Sequence, residues 1–180
     1  LFDCCPFSDG AAAVVVAEDS NAKELVKKPI YIAGMGQASC GPLYLQKDLT
    51  RVRAREAAVA QAYKEAGFGP DDVDAVELRD CFTIVEILAL ESFGFYEFGK
   101  AYDAATRRET YLNGKVVVNP SGGLKAKGHP IGATGAAQVT EVVEQLRGES
   151  GPRQVGGACI GLVDTLGGDF GTVCNIILRS

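Results

Sequence analysis

Apolar and polar positions along the chain follow two periods, and the switch between them marks out the elements. "IYIAGMGQ" and "GKVVVNPSGG" are short apolar runs ending in glycine, and "QVGGACIGLVD" and "GTVCNIILRS" are two more near the end; all read as strands. The continuously apolar "AAAVVVA" at 11–17 reads as a buried strand, and a further strand is expected over 75–78 after the turn "GPDD". Between them the period lengthens. In "LTRVRAREAAVAQAYKEAGF", Val52, Val59, Tyr63 and Ala66 share one face, while Arg51, Arg55, Lys64 and Glu65 fall mostly on the other; Thr50 is the expected cap and Gly67 the stop. "CFTIVEILALESFGF" is apolar nearly all round, as a buried helix is. "TGAAQVTEVVEQLRG" carries a stripe of Ala136, Val139, Val143 and Leu146. "EDSNAKELVKKP" reads as a polar connection with a helical turn. The alternation of strands and helices predicts an α/β fold.

Composition narrows the class. With 180 residues, 47% of them hydrophobic, the chain can bury a full core. A net charge of −5 and the lack of a Lys/Arg block argue against a nucleic-acid or membrane-surface partner, and no apolar run is long enough to span a bilayer. "LFDCCPFSDG" has neither the basic start nor the apolar stretch of a signal peptide, and the first residue is Leu1; a piece cut from a larger protein is expected. The six cysteines include no CxxC pair, and there is one histidine, so a metal site is not expected. Cys159 and Cys174 lie in strand-like runs and read as reduced core residues, in keeping with a reducing, cytoplasmic compartment.

Two segments bring titratable groups to the junction of a strand and a helix. "SGGLKAKGHPIGATG" holds the single histidine, His129. A lone histidine is often just a packed residue. Here glycines on both sides allow close backbone approach, Pro130 stiffens the next turn, and Thr134 is placed to cap the following helix. An imidazole held this way suits a base or an oxyanion donor. In "LRDCFTIVEILA", Asp80 reads as an N-cap. Cys81 would then sit in the first helical turn, where the dipole favours thiolate, and should react faster than Cys159 or Cys174. The alternative is an ordinary buried cysteine. Lys125 and Lys127 read as solvated, with an anionic ligand as the other option. The scattered GxG triplets lack the dinucleotide fingerprint, so NAD is not expected.

These residues carry a likeness. "NPSGGLKAKGHPIGATG" resembles the Asn-x-x-Gly-Gly…Gly-His-Pro…Gly-Ala-Thr-Gly segment of thiolases. "RDCFTIVEILALESFGF" resembles the His-Asp-Cys-Phe segment of the sterol-carrier-protein-type and archaeal thiolases, the acetyl-CoA acetyltransferase-like subgroup, and "CCPFSDGAAAVVVA" resembles the end of their N-terminal half. The likeness covers essentially the whole chain. It implies the C-terminal half of a thiolase-like fold, a mixed sheet with helices packed on both faces, with residues 1–20 a remnant of the N-terminal half and 21–180 the C-terminal domain.

The resemblance also implies a chemistry: thiolytic cleavage of a 3-oxoacyl-CoA, or the reverse Claisen condensation. Acyl-CoA and coenzyme A are the substrates, and no cofactor is bound. His129 would activate a nucleophilic cysteine supplied by the N-terminal half, and Cys81 would move the proton at the α-carbon. Asn119, Gly122, Gly123 and Gly128 would line the substrate. Other thiolases use a cysteine before a C-terminal Gly-Gly-Gly stretch; the matching "DTLGGDFG" has none there. No segment here matches the nucleophile's, so the chain alone is expected to be inactive. The subgroup's histidine before Asp-Cys-Phe is Arg79, a permanent cation. It either holds a carboxylate on the acyl group or pairs with Glu77 or Asp80. Other roles implied by relatives are a non-catalytic acyl-CoA-binding scaffold and a lipid-transfer-type aldolase, though the latter tend to lose the histidine. A homodimer or larger assembly, and a small zinc-bearing OB-fold protein, are the partners the family suggests.

Overall fold

The structure, a computed structural model, describes residues 2–168 and 170–180. Its elements in chain order are α1 (Asp19–Leu25), β1 (Tyr31–Ser39), α2 (Arg53–Ala66), β2 (Ala75–Glu77), α3 (Thr83–Ser92), β3 (Val117–Val118), α4 (Gly123–Lys127), α5 (Thr134–Arg147), β4 (Ile160–Gly167) and β5 (Thr172–Arg179). The strands form one mixed sheet in the order β1-β5-β4-β2-β3. β5 runs antiparallel to both of its neighbours, β1 and β4, whereas β4, β2 and β3 run parallel. Parallel neighbours need crossover connections, and α3 and α5 supply them.

The two-residue alternation of β4 and β5 divides the core between the faces. Leu162, Leu166, Val173 and Ile177 point to the side where Val59 and Ala62 of α2 and Leu90 of α3 pack. Val163 and Leu178 point to the other side, against Val142 and Leu146 of α5. Helices therefore cover both faces. α2 lies directly on β1 because Gly36 is there: a Cβ at that position would sit 1.9 Å from the Ala58 carbonyl oxygen. The same helix shields the sheet edge, since Glu65 and Gln61 accept the outward N–H groups of Met35 and Gln37 at 2.8 and 3.2 Å.

Several expectations are corrected. The run 11–17 joins no strand, and Val14, Val15 and Val16 are exposed. It has the composition of a doubly buried strand, but among the described residues it pairs with no other strand. Thr50 donates to Asp48 instead of capping α2, whose cap position is Val52; Gly67 does end the helix, at φ 72°. The buried face of α5 is rotated from the apolar stripe toward Gln138, Glu141, Val142, Gln145 and Leu146. Most of those buried polar atoms have partners: Gln138 donates to the Asp164 carbonyl (3.0 Å), though its Oε1 has none, Gln145 accepts from Val155 N–H (2.8 Å), and Arg153 pairs with Glu141 (2.9 Å).

Arg55 is the largest departure. Instead of facing solvent it is 0% exposed, and it grips Asp164 of β4 through two hydrogen bonds of 3.1 and 2.9 Å. Asn175 of β5 donates to the same carboxylate at 2.9 Å, and the guanidinium carbon lies 5.6 Å from the centre of the Phe93 ring. One buried cluster thus ties α2 and α3 to the centre of the sheet.

Candidate functional site

Because β2, β3 and β4 are parallel, their carboxyl ends fall together, where open α/β sheets bind ligands. β2 leads into residues 78–82 and β3 into the glycine loop 119–123. The two loops are pinned to each other. Asn119, at φ 46°, accepts the Leu78 N–H at 2.8 Å, and Asp80 accepts the Leu124 N–H at 2.8 Å. Gly123 has φ 64°, and a Cβ there would meet Asp80 at 2.2 Å, so both conformation and space require glycine. Beneath the loop, buried Glu77 is held by Ser121 (2.9 Å) and Lys127 (3.1 Å). Burial raises the Glu77 pKa, and Lys127 opposes that rise. Lys127 is therefore a structural partner, and Lys125 donates to the Phe2 carbonyl.

His129 is fixed through both backbone and ring. Its N–H donates to the Pro6 carbonyl at 3.1 Å, and its carbonyl accepts from Ser8 N–H at 3.4 Å. Gly128, at φ 91°, lets Ser8 approach: a Cβ there would lie 2.6 Å from the Ser8 hydroxyl. The imidazole is 2% exposed. The Thr134 hydroxyl donates to the Pro130 carbonyl (3.0 Å) and so accepts from Nδ1–H of His129 (2.8 Å). That leaves Nε2 as the acceptor of an Arg79 N–H at 3.1 Å. The chain of bonds assigns the neutral tautomer with the proton on Nδ1. Burial, and then the Arg79 charge, push the His129 pKa below the ordinary value, with Asp80 opposing. Thr134, read from sequence as a helix cap, instead orients the imidazole; the cap position is Ala133 and carries no side-chain bond.

Arg79 forms the other side of this contact. It pairs with neither Glu77 nor Asp80. One guanidinium nitrogen donates to the Leu166 carbonyl at the end of β4, another to His129, and Nε is buried without a partner. Asn119 likewise keeps a side-chain N–H group without a hydrogen-bond partner. Next to Asn119 and Gly122 opens a cavity of about 380 Å³, also lined by Asp80, Glu86, Thr110 and Tyr111.

Cys81 does not occupy the first turn of a helix. α3 begins at Thr83 with Phe82 at the cap position, so the dipole argument falls away. Burial pushes the Cys81 thiol up, while the Arg79 charge works the other way. Cys159, expected in the core, is exposed just before β4, and half-buried Cys174 is raised by burial. The expected order of reactivity therefore reverses: iodoacetamide should label Cys159 several-fold faster than Cys81, as short-time peptide mass mapping would show. In the "DTLGGDFG" stretch, Asp169 lies outside the described residues, as does Leu1. Among the described residues no group of three or more His, Cys, Asp or Glu side chains gathers as a metal site, and no helix is long and apolar enough to cross a membrane.

Comparison with known proteins places this geometry. The chain is 49% identical to the acetyl-CoA acetyltransferase of Methanothermobacter thermautotrophicus, over 96% of its own length and 45% of the relative's. It is 40% identical to sterol carrier protein 2 of Rattus norvegicus (93% of the chain, 32% of the relative). It is 42% identical to benzoylsuccinyl-CoA thiolase subunit BbsB of Thauera aromatica (86% and 40%). Among solved structures, the Ltp2-ChsH2(DUF35) aldolase superposes with a TM-score of 0.77 at 26% identity, covering 84% of this chain and 40% of that one. The chain thus spans less than half the length of each. Residues 36–180 match the family described as thiolase C-terminal domain-like, and the chain belongs to that family.

Proposed function

We propose that this chain is the C-terminal half of a CoA-dependent thiolase, cleaving a 3-oxoacyl-CoA with coenzyme A or running the reverse condensation. The observation that carries the reading is the neutral His129, with its Nε2 lone pair at the carboxyl ends of the sheet. Once Arg79 releases it, such a nitrogen can take the proton of a nucleophilic cysteine brought by the N-terminal half. That cysteine would attack the 3-oxo carbon, and the bond between C2 and C3 would break. The resulting carbanion would take a proton from Cys81, and coenzyme A would then release the acyl group. The unpartnered Asn119 N–H group suits a thioester oxygen. Residues 2–10, which pack against the His129 loop, and the exposed run 11–17 fit a segment continuing from the missing half. A homodimer or larger assembly of the whole protein belongs to the same reading. The aldolase neighbour, a complex with a ChsH2(DUF35) chain, supports a partner subunit. It also supports a second reading, a carbon–carbon lyase. Cleavage of a 3-oxoacyl-CoA that depends on added coenzyme A favours the thiolase, and CoA-independent cleavage of a 3-hydroxyacyl-CoA favours the lyase. Binding of acyl-CoA with neither reaction points to a scaffold.

Arg79 bears on the substrate. The resemblance to a benzoylsuccinyl-CoA thiolase subunit supports an acyl group that carries a carboxylate, since a succinyl monothioester retains one. A charge-assisted contact with a guanidinium is worth about 1.5–3 kcal/mol, or roughly ten- to a hundred-fold in kcat/KM between an acidic substrate and its neutral isostere. Arg79→His in the full-length protein should abolish that preference while activity on the neutral substrate holds. Equal losses on both substrates would leave Arg79 as a support for His129 alone.

A further inference from the structure

We propose that Cys5 and Cys81 are a reversible disulfide pair that masks Cys81. The N-terminal segment runs antiparallel to the loop before α3, and three contacts fix the register. Thr83 donates to the Asp3 carboxylate at 2.7 Å, Cys4 and Phe82 form an antiparallel bridge, and Cys5 N–H donates to the Cys81 carbonyl at 3.2 Å. This sets Cys5 directly opposite Cys81. Opposed residues in such a ladder have Cα atoms about 4.5–5.5 Å apart and side chains on one face. A disulfide needs about 4.4–6.8 Å. Both cysteines are free and half-buried. Burial raises both thiols, the Arg79 charge acts on each in the opposite direction, and Cys5 is among the groups that raise Cys81. Cys4 alternates to the opposite face and is exposed, which makes it a built-in control.

The bond would form by exchange with a low-molecular-weight disulfide such as oxidised glutathione. One cysteine thiolate attacks the glutathione disulfide, breaking its S–S bond and releasing one reduced glutathione. The second thiolate attacks the protein sulfur of the mixed disulfide, forms the Cys5–Cys81 bond and expels the second glutathione. Two protein thiols are oxidised, and one glutathione disulfide is reduced to two thiols. The consequence for turnover rests on the thiolase reading of Cys81; the bond itself does not.

The test is non-reducing peptide mapping of the purified protein after treatment with oxidised glutathione. Trypsin should release the peptide ending at Lys23 joined to the peptide 80–100. The link should persist in Cys4→Ser, vanish in Cys5→Ser and in Cys81→Ser, and be reversed by dithiothreitol. Alkylation of Cys81 should fall at least about tenfold in the oxidised protein. A link that survives Cys5→Ser, or glutathione adducts with no link, would overturn the proposal, provided reduced Cys5→Ser melts as the parent does; if it melts lower, a missing link in the oxidised parent overturns it instead. If the link forms and full-length activity is unchanged, the disulfide stands and the catalytic reading of Cys81 fails.

Discussion

Replacing His129 by alanine in the full-length protein should lower kcat by about 10²–10⁴-fold, the range expected on losing a positioned general base, with KM changing far less. The structure states why. Nδ1 is committed to Thr134, whose own proton goes to the Pro130 carbonyl, and Nε2 accepts from Arg79, so the ring cannot rotate without breaking two bonds. Nε2 carries the ring's one lone pair, which Arg79 must release before it can act as a base, and burial, then the Arg79 charge, lower the His129 pKa. The same groups give a stability signature. The unfolded chain takes up the histidine proton at a higher pH than the folded one. The contribution of neutral His129 to folding is therefore complete above the ordinary histidine value of about 6.5 and declines as the pH falls through it. Retained kcat in a folded His129→Ala protein would remove His129 from the chemistry.

The second large effect is structural. Asp164→Ala should destabilise the fold by about 3–5 kcal/mol, because it leaves the Arg55 guanidinium buried and unpaired. It also deprives Asn175 of its acceptor. Urea denaturation would measure the loss. Removing both charges with apolar residues of similar volume, as in Arg55→Met with Asp164→Leu, should recover most of it, since the cost lies in the stranded charge. A single Asp164→Ala variant as stable as the parent would show that the cluster does not hold α2 to the sheet.

The contrast between His129 and Arg55 shows what can be read before folding. Elements set by local period were legible: the strand with Gly36, the helix stopped by Gly67, and the last two strands. The loop bearing His129 was legible too, because glycines and a lone imidazole sit within a few residues of one another, whereas Arg79 and Asn119 were singled out only through the family resemblance. Arg55 was misplaced because its partner, Asp164, lies 109 residues away, and helical period alone assigns an arginine to solvent. Cys81 was misplaced by two residues at a helix start, where Asp80 found a better use in the Leu124 N–H than in capping. The apolar run 11–17 was misread as a buried strand, because an apolar run alone does not supply strands to pair with; its valines are exposed.

The claim on which the functional account turns is the protonation state of one ring, and the chain's single histidine makes it directly observable. Nitrogen-15 NMR of the histidine-labelled protein should show one pyrrole-type and one pyridine-type nitrogen at neutral pH. The protonated nitrogen should be Nδ1, and titration should begin only below the ordinary histidine range. Substituting Thr134 by valine should weaken that tautomer preference. An imidazolium at neutral pH, or a proton on Nε2, would contradict the account.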